Sequence, residues 1–327
     1  MKKKNLPKTH FELIEECIIQ QGYTFKEWLH IKVTKFKSIK NPSYDIIKQM
    51  QIVSMYKLFE LNGKKSFYLT EDLCYLLYNT DLKNVDSSML HLPFETFYIG
   101  GLDCLNFIEN INGVYIAKHI NPDHTNKGAT YMYDLFLYYI DTHNIQDTIN
   151  AQYEIHKGDI LEQIMKIESN FNDRLNIRTQ CFNIARFIIN CILYLTSENS
   201  IIEKIIPVDF TTNKKNKAKI KKARKHSGTQ ITQYKIGPTR IDRKLKQALV
   251  NHTHNPSKNN RHTNSWVVMG HWHPYWVLKE NVRQWEWDEK KVIKASDDGT
   301  KHLVKKWVKP YLKGDGEPPN EKTYIVK

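Results

Sequence analysis

Two pairs of histidines stand at HxH spacing in the C-terminal third of the chain, His252/His254 and His271/His273, with His262 between them. In an extended strand positions i and i+2 share a face, so each pair could converge on a single ion. No cysteine lies nearby and no carboxylate repeats at ligand spacing, so no metal is assigned. The ordinary state of such a residue is an imidazole packed beside tryptophan and bonded to backbone. A second chemistry is metal-independent RNA cleavage, which needs a base for the 2′-hydroxyl, an acid for the leaving oxygen and a cation for the phosphorane. His271, His273, Arg261 and Lys279 could fill those roles. A histidine-based ribonuclease therefore stands as one alternative to a target-binding protein, and a plain nucleic-acid-binding protein of a phage or plasmid as another.

Six of the seven tryptophans lie between Trp266 and Trp307. Exposed rings of this kind stack on bases at roughly 1–3 kcal/mol each. Strand alternation puts His271 and His273 on one face with Trp272 opposite, and Trp285 with Trp287 on one face, so half of the tryptophans must look inward. Trp272 and Trp307 read as structural, and Tyr275, Trp276 and Trp285 as surface rings. The same end of the chain is strongly basic. From Lys214 onward there are 27 Lys/Arg against 10 Asp/Glu, a net +17, which leaves −3 on the remainder. Within it the run Lys214, Lys215, Lys217, Lys219, Lys221, Lys222, Arg224 and Lys225 reads either as a solvated linker or as an RNA-facing clamp of steep salt dependence and no sequence preference.

These residues need a frame to hold them. At 327 residues the chain is long enough for two domains. No apolar run approaches the roughly 20 residues of a membrane span, and Met1-Lys-Lys-Lys4 leads into Asn5-Leu-Pro-Lys8 without the apolar core of a signal peptide. Cys17, Cys74, Cys104, Cys181 and Cys191 are scattered and lack CxxC spacing, which favours free thiols in a reducing cytoplasm. No phosphate loop, GxSxG or HExxH occurs, so no cofactor is assigned.

Asn41-Pro-Ser43 predicts a helix start, and apolar positions from Ile46 to Leu58 continue it. A second helix is expected after Thr70, with Glu71 and Asp72 in its first turn. His91–Gly100, Val114–His119 and Tyr131–Tyr139 read as strands joined by turns. Ile160–Ile167 and the apolar Arg178–Leu195 read as helices, the second interrupted by Arg186 and Asn190. Tyr234–Pro238 suggests a strand and turn, Asp242–Val250 a short helix, and 251–264 a polar loop. The expectation is an α+β protein: a helical and antiparallel-strand body over 1–206, a basic linker over 207–232, and a small β-rich, Trp/His-rich module over 233–327.

Gly270-His-Trp-His273, Tyr275-Trp276 and Trp307-Val-Lys-Pro310 resemble the C-terminal signature of a family of large type V-A anti-CRISPR proteins that inhibit biogenesis of the type V-A nuclease. The order of features is similar too: a Leu92-Pro93 strand, the Phe182–Leu195 helix, a lysine-rich linker, a strand ending at Gly237, and Arg261-His262 before Gly-His-Trp. The resemblance implies loss of the nuclease transcript through recognition of its nascent N-terminal polypeptide during translation. It further implies ribosome or mRNA partners and action in the cytoplasm of a bacterial host, and leaves open whether the protein cleaves RNA itself or recruits a host nuclease. The target contacts expected on this basis are Arg261, His262, His271, Trp272, His273, Tyr275, Trp276 and Trp285. One departure is plain: the family carries basic residues before Gly-His-Trp, where this chain has Val268-Met269.

Overall fold

Helices precede and interleave a mixed sheet. In the computed structural model, residues 11, 15, 18–39, 43–102, 104, 111–120, 131–141, 148–169, 175–205, 231–238, 240–254, 265–282 and 291–314 are described. Helix α1 (Phe25–Lys37) opens on a reciprocal cap in which the Glu27 amide donates to Thr24 Oγ1 and the Thr24 amide donates to Glu27 Oε2. Helix α2 (Tyr44–Leu61) follows Ser43, and the turn at Asn62–Lys64 delivers strand β1 (Lys65–Leu69). Thr70 caps α3 (Glu71–Tyr78), whose first turn holds Glu71 and Asp72 as expected.

Strand β2 covers Thr96–Gly100, not the whole of His91–Gly100. Leu92 and Pro93 precede it, since a proline has no amide hydrogen for a ladder flanked on both sides. Strands β3 (Ile111–His119), β4 (Tyr131–Asp141) and β5 (Thr148–His156) continue as an antiparallel meander. Helices α4 (Ile160–Ser169) and α5 (Leu175–Leu195) and strand β6 (Ile202–Ile205) follow. Strand β7 (Thr232–Ile236), the predicted Tyr-Lys-Ile strand, enters the body sheet and runs parallel to β1. The seven strands lie in the order β5-β4-β3-β2-β1-β7-β6, with β1 parallel to both neighbours and the other pairs antiparallel.

Alternation in the central strands sends residues to two cores. Phe67, Phe97, Ile99, Val114, Ile116, Tyr234 and Ile236 belong to the larger one, built with α3, α4 and α5. Tyr68, Tyr98 and Tyr115 meet Phe11, Phe25, Tyr56 and Phe59 in the smaller. Buried Lys64 lies within 4.6 Å of the Phe11 ring centroid, its ammonium paired to Glu15 at 3.4 Å and Glu60 at 3.8 Å.

Helix α6 (Arg243–His254) runs past the expected Val250, so His252 and His254 fall on helical backbone instead of a polar loop, where positions i and i+2 do not share a face. Lys246 ties it to α3 through Asp72 at 2.8 Å and Glu71 at 3.1 Å. Strands β8 (Ser265–Val268) and β12 (Tyr311–Gly314) pair with one another. Strands β9 (His271–Leu278), β10 (Val292–Ala295) and β11 (Lys301–Val308) form a three-stranded antiparallel sheet in the order β10-β11-β9. The α+β class and the small β-rich C-terminal part are as predicted. No described helix is long and apolar enough to cross a membrane.

Candidate functional site

The Gly-His-Trp segment begins at a joint. The Gly270 amide donates to Asn79 O at 2.9 Å, and the Asp81 amide donates to Gly270 O at 2.7 Å, so the entry to β9 is bonded to the end of α3. A Cβ at position 270 would meet Thr80 Oγ1 at 2.6 Å, Pro310 Cδ at 2.8 Å and Val308 O at 3.0 Å. Only glycine fits this approach. The next inward residue is Trp272, 7 % exposed, whose indole N–H donates to Asn190 Oδ1 at 2.7 Å. Its register partner is Trp307, 6 % exposed, whose N–H donates to Thr80 Oγ1 at 3.1 Å and whose ring stands edge-on to Tyr194. A tryptophan is buried without loss only when its N–H finds an acceptor; both do.

Further bonds fix the module. Asn199 brackets Trp307, its Nδ2 donating to Trp307 O at 2.8 Å and its Oδ1 accepting the Trp307 amide at 3.1 Å. The Glu198 amide donates to Lys305 O. Lys305 is fully buried and its ammonium nitrogen donates to Met89 O at 2.7 Å. Burial, and after it the neighbouring Lys291, push the Lys305 amine down to about 7. The polar side chains of this joint, Thr80, Asn190, Asn199 and Lys305, were not singled out by type or spacing. The one signal for them was Asn190, a polar residue on the apolar stretch of α5.

Register separates the expected contact residues into two sets. Trp272, Pro274, Trp276 and Leu278 oppose Trp307, Lys305, Leu303 and Lys301, while His271, His273 and Tyr275 oppose Val308, Lys306 and Val304. Directly opposed residues share a face. Trp272 and Trp307 are therefore structural, as alternation predicts, and Trp272 serves the joint. Further along the same face the strand leaves the core: Trp276 is 46 % and Leu278 43 % exposed, beside exposed Lys294 and Lys301. The other face presents exposed His271, His273 and Lys306, with Tyr275 half-buried and the Lys306 ammonium 6.0 Å from its ring centroid. Pro274 sits on β9, an edge of its sheet, where a missing amide hydrogen is tolerated.

Arg261, His262, Trp285 and the basic run 214–225 lie outside the described residues, as does the side chain of Trp266. Among the described residues no group of three His, Cys, Asp or Glu side chains is arranged to hold a metal.

The joint and both faces of β9 fall inside a longer match. A family model described as AcrVA2-like, the anti-CRISPR type V subtype A2 family, matches residues 67–313. The chain belongs to this family. The AcrVA2-like match runs from β1 to β12 and so includes Asn190, Gly270, Trp272, Trp276 and Trp307. Among solved structures, one titled "Crystal structure of AcrVA2" is similar at a TM-score of 0.41 and 13 % identity, over 93 % of this chain and 99 % of that one. No curated protein matches.

Proposed function

We propose that this anti-CRISPR protein lowers synthesis of a type V-A CRISPR nuclease by binding the nuclease's nascent N-terminal peptide at the ribosome and triggering loss of its mRNA. The observation that carries the reading is membership of the anti-CRISPR type V subtype A2 family over 67–313. The exposed Trp276 and Leu278 support it, since an aromatic ring and an aliphatic side chain beside lysines suit an extended chain with apolar and acidic residues. In this reading Trp276, with Arg261, His262 and Trp285, meets the peptide, while His271, His273 and Tyr275 lie on the opposite face of β9. Trp272 holds β9 in place, and the 214–225 run faces ribosomal or messenger RNA. A host nuclease is the effector, and the protein works in the bacterial cytoplasm.

The test is the steady-state level of a type V-A nuclease transcript with and without this protein, using three versions of the start of the coding region: native, synonymously recoded, and frame-shifted over a short window. Loss of the native and recoded transcripts with survival of the altered-peptide one is the expected result. Loss of all three replaces this reading with a general ribonuclease, and loss of none removes this nuclease as the target.

A further inference from the structure

The face of β9 turned away from Trp276 has a chemistry of its own. His271, His273 and Tyr275 stand at i, i+2 and i+4 on one strand, and Lys306 lies opposite His273. Both histidines and the lysine are exposed. Rings two residues apart on a strand are spaced by about 6.8 Å, twice the roughly 3.4 Å separation of stacked bases. One base fits between successive rings, which requires a strand whose bases are splayed apart and excludes an intact duplex. The Lys306 ammonium, 6.0 Å from the Tyr275 ring centroid, is placed to meet a phosphate beside such a stack.

We propose that this face of the β9–β11 pair binds single-stranded RNA, with bases stacking on His271, His273 and Tyr275 and a phosphate meeting Lys306. The charge around this face suits a polyanion: besides the buried Lys291 and Lys305, 265–282 and 291–314 carry six lysines against Glu280, Asp297 and Asp298, of which Lys294 and Lys301 project from the Trp276 face. One carboxylate, Glu198, acts on Tyr275 from the turn after α5. Burial first and that charge second hold the phenol above its usual range, so it stays neutral. An acidic peptide fits less well here, because the apolar anchors it would need, Trp276 and Leu278, project from the opposite face. The inference does not rest on peptide recognition; it assigns the other side of the same strand.

The experiment is fluorescence anisotropy of a fluorescein-labelled 12-nucleotide oligouridylate with the full chain, over a salt series. The variants are Tyr275→Ala, Tyr275→Phe, the pair His271→Ala/His273→Ala, Lys306→Ala, and replacement of the eight basic residues of 214–225 by Gln. Tyr275→Ala and the histidine pair should each weaken binding about tenfold, as loss of a stack does, while Tyr275→Phe stays within about twofold. Lys306→Ala should weaken binding and flatten the salt dependence by about one phosphate contact. Ultraviolet cross-linking of a 4-thiouridine-substituted strand to the wild-type protein should label the peptide containing 271–278, which decides the matter even where a variant fails to fold. The proposal is overturned if folded variants of this face bind like wild type while the 214–225 variant loses all affinity. Failure of the wild type to bind at low salt, or a cross-link confined to another segment, overturns it equally.

Discussion

The seven-stranded body and the three-stranded C-terminal sheet share one apolar core but differ in how much their join depends on directed polar bonds. The body closes on apolar and aromatic area: Phe67, Phe97, Ile99, Val114 and Ile116 against α5 on one face, and Phe11, Phe25, Tyr56, Phe59 and Tyr115 on the other. The C-terminal sheet adds Trp272 and Trp307 to the larger core and is further fixed by directed bonds from single polar atoms. Apolar packing tolerates a change of shape if volume is kept. A buried hydrogen-bonded joint does not, because each deleted partner leaves another group desolvated and unsatisfied.

The largest test of that contrast is Asn190→Leu. It removes the acceptor of the Trp272 N–H and the donor to Leu77 O and Thr80 O, and should cost about 3–5 kcal/mol at 1–3 kcal/mol per orphaned group. Ile188→Val on the same helix should cost only about 1 kcal/mol. Denaturant melts followed by tryptophan fluorescence compare the two, and equal losses would erase the distinction. Gly270→Ala comes next, at about 1–3 kcal/mol, because its methyl displaces the Thr80 hydroxyl that accepts from Trp307.

Lys305→Met probes a buried amine of the joint by pH. Its folded-state pKa is lowered to about 7, whereas an unfolded lysine holds its proton to about 10. Between those values the unfolded chain binds the extra proton, so this group makes stability rise with pH from about 7 to about 10; below 7 both states are protonated and its slope vanishes. The variant should lack that slope, gaining about 3 kcal/mol on wild type at pH 6 relative to pH 9.5; parallel melting curves across pH would show an amine that stays charged. The smallest stability effect belongs to Trp276→Ala, within about 0.5 kcal/mol. Its transcript-lowering action should nevertheless fall, and a collapse of soluble yield would move Trp276 into the core.

Local signals were legible where local chemistry decides. Thr70 with Glu71 and Asp72 marked α3, the β-branched and aromatic runs marked β3 and β4, and the alternation of His271-Trp272-His273 put Trp272 inward with the histidines outward. Strand β1 escaped notice because its partners, 96–100 and 232–236, are distant in the chain, and no local period announces a parallel pair. The joint escaped for a related reason. Arg186 and Asn190 look like faults in an apolar helix, yet Arg186 donates to Tyr78 O at 3.2 Å and Asn190 receives Trp272. A polar residue on a buried face states that a partner exists without saying which.

The placement of β7 between β1 and β6 has a kinetic consequence. During synthesis β1 to β6 all emerge before it, so β1 has one open edge and β6 has no neighbour until residue 236 has left the ribosome. The body sheet cannot close on a truncated chain, and its last central pairing joins segments more than 160 residues apart. High separation of this kind slows folding and leaves strand edges exposed in the interval. The chain thus has a built-in delay between the start of its translation and its first folded copy.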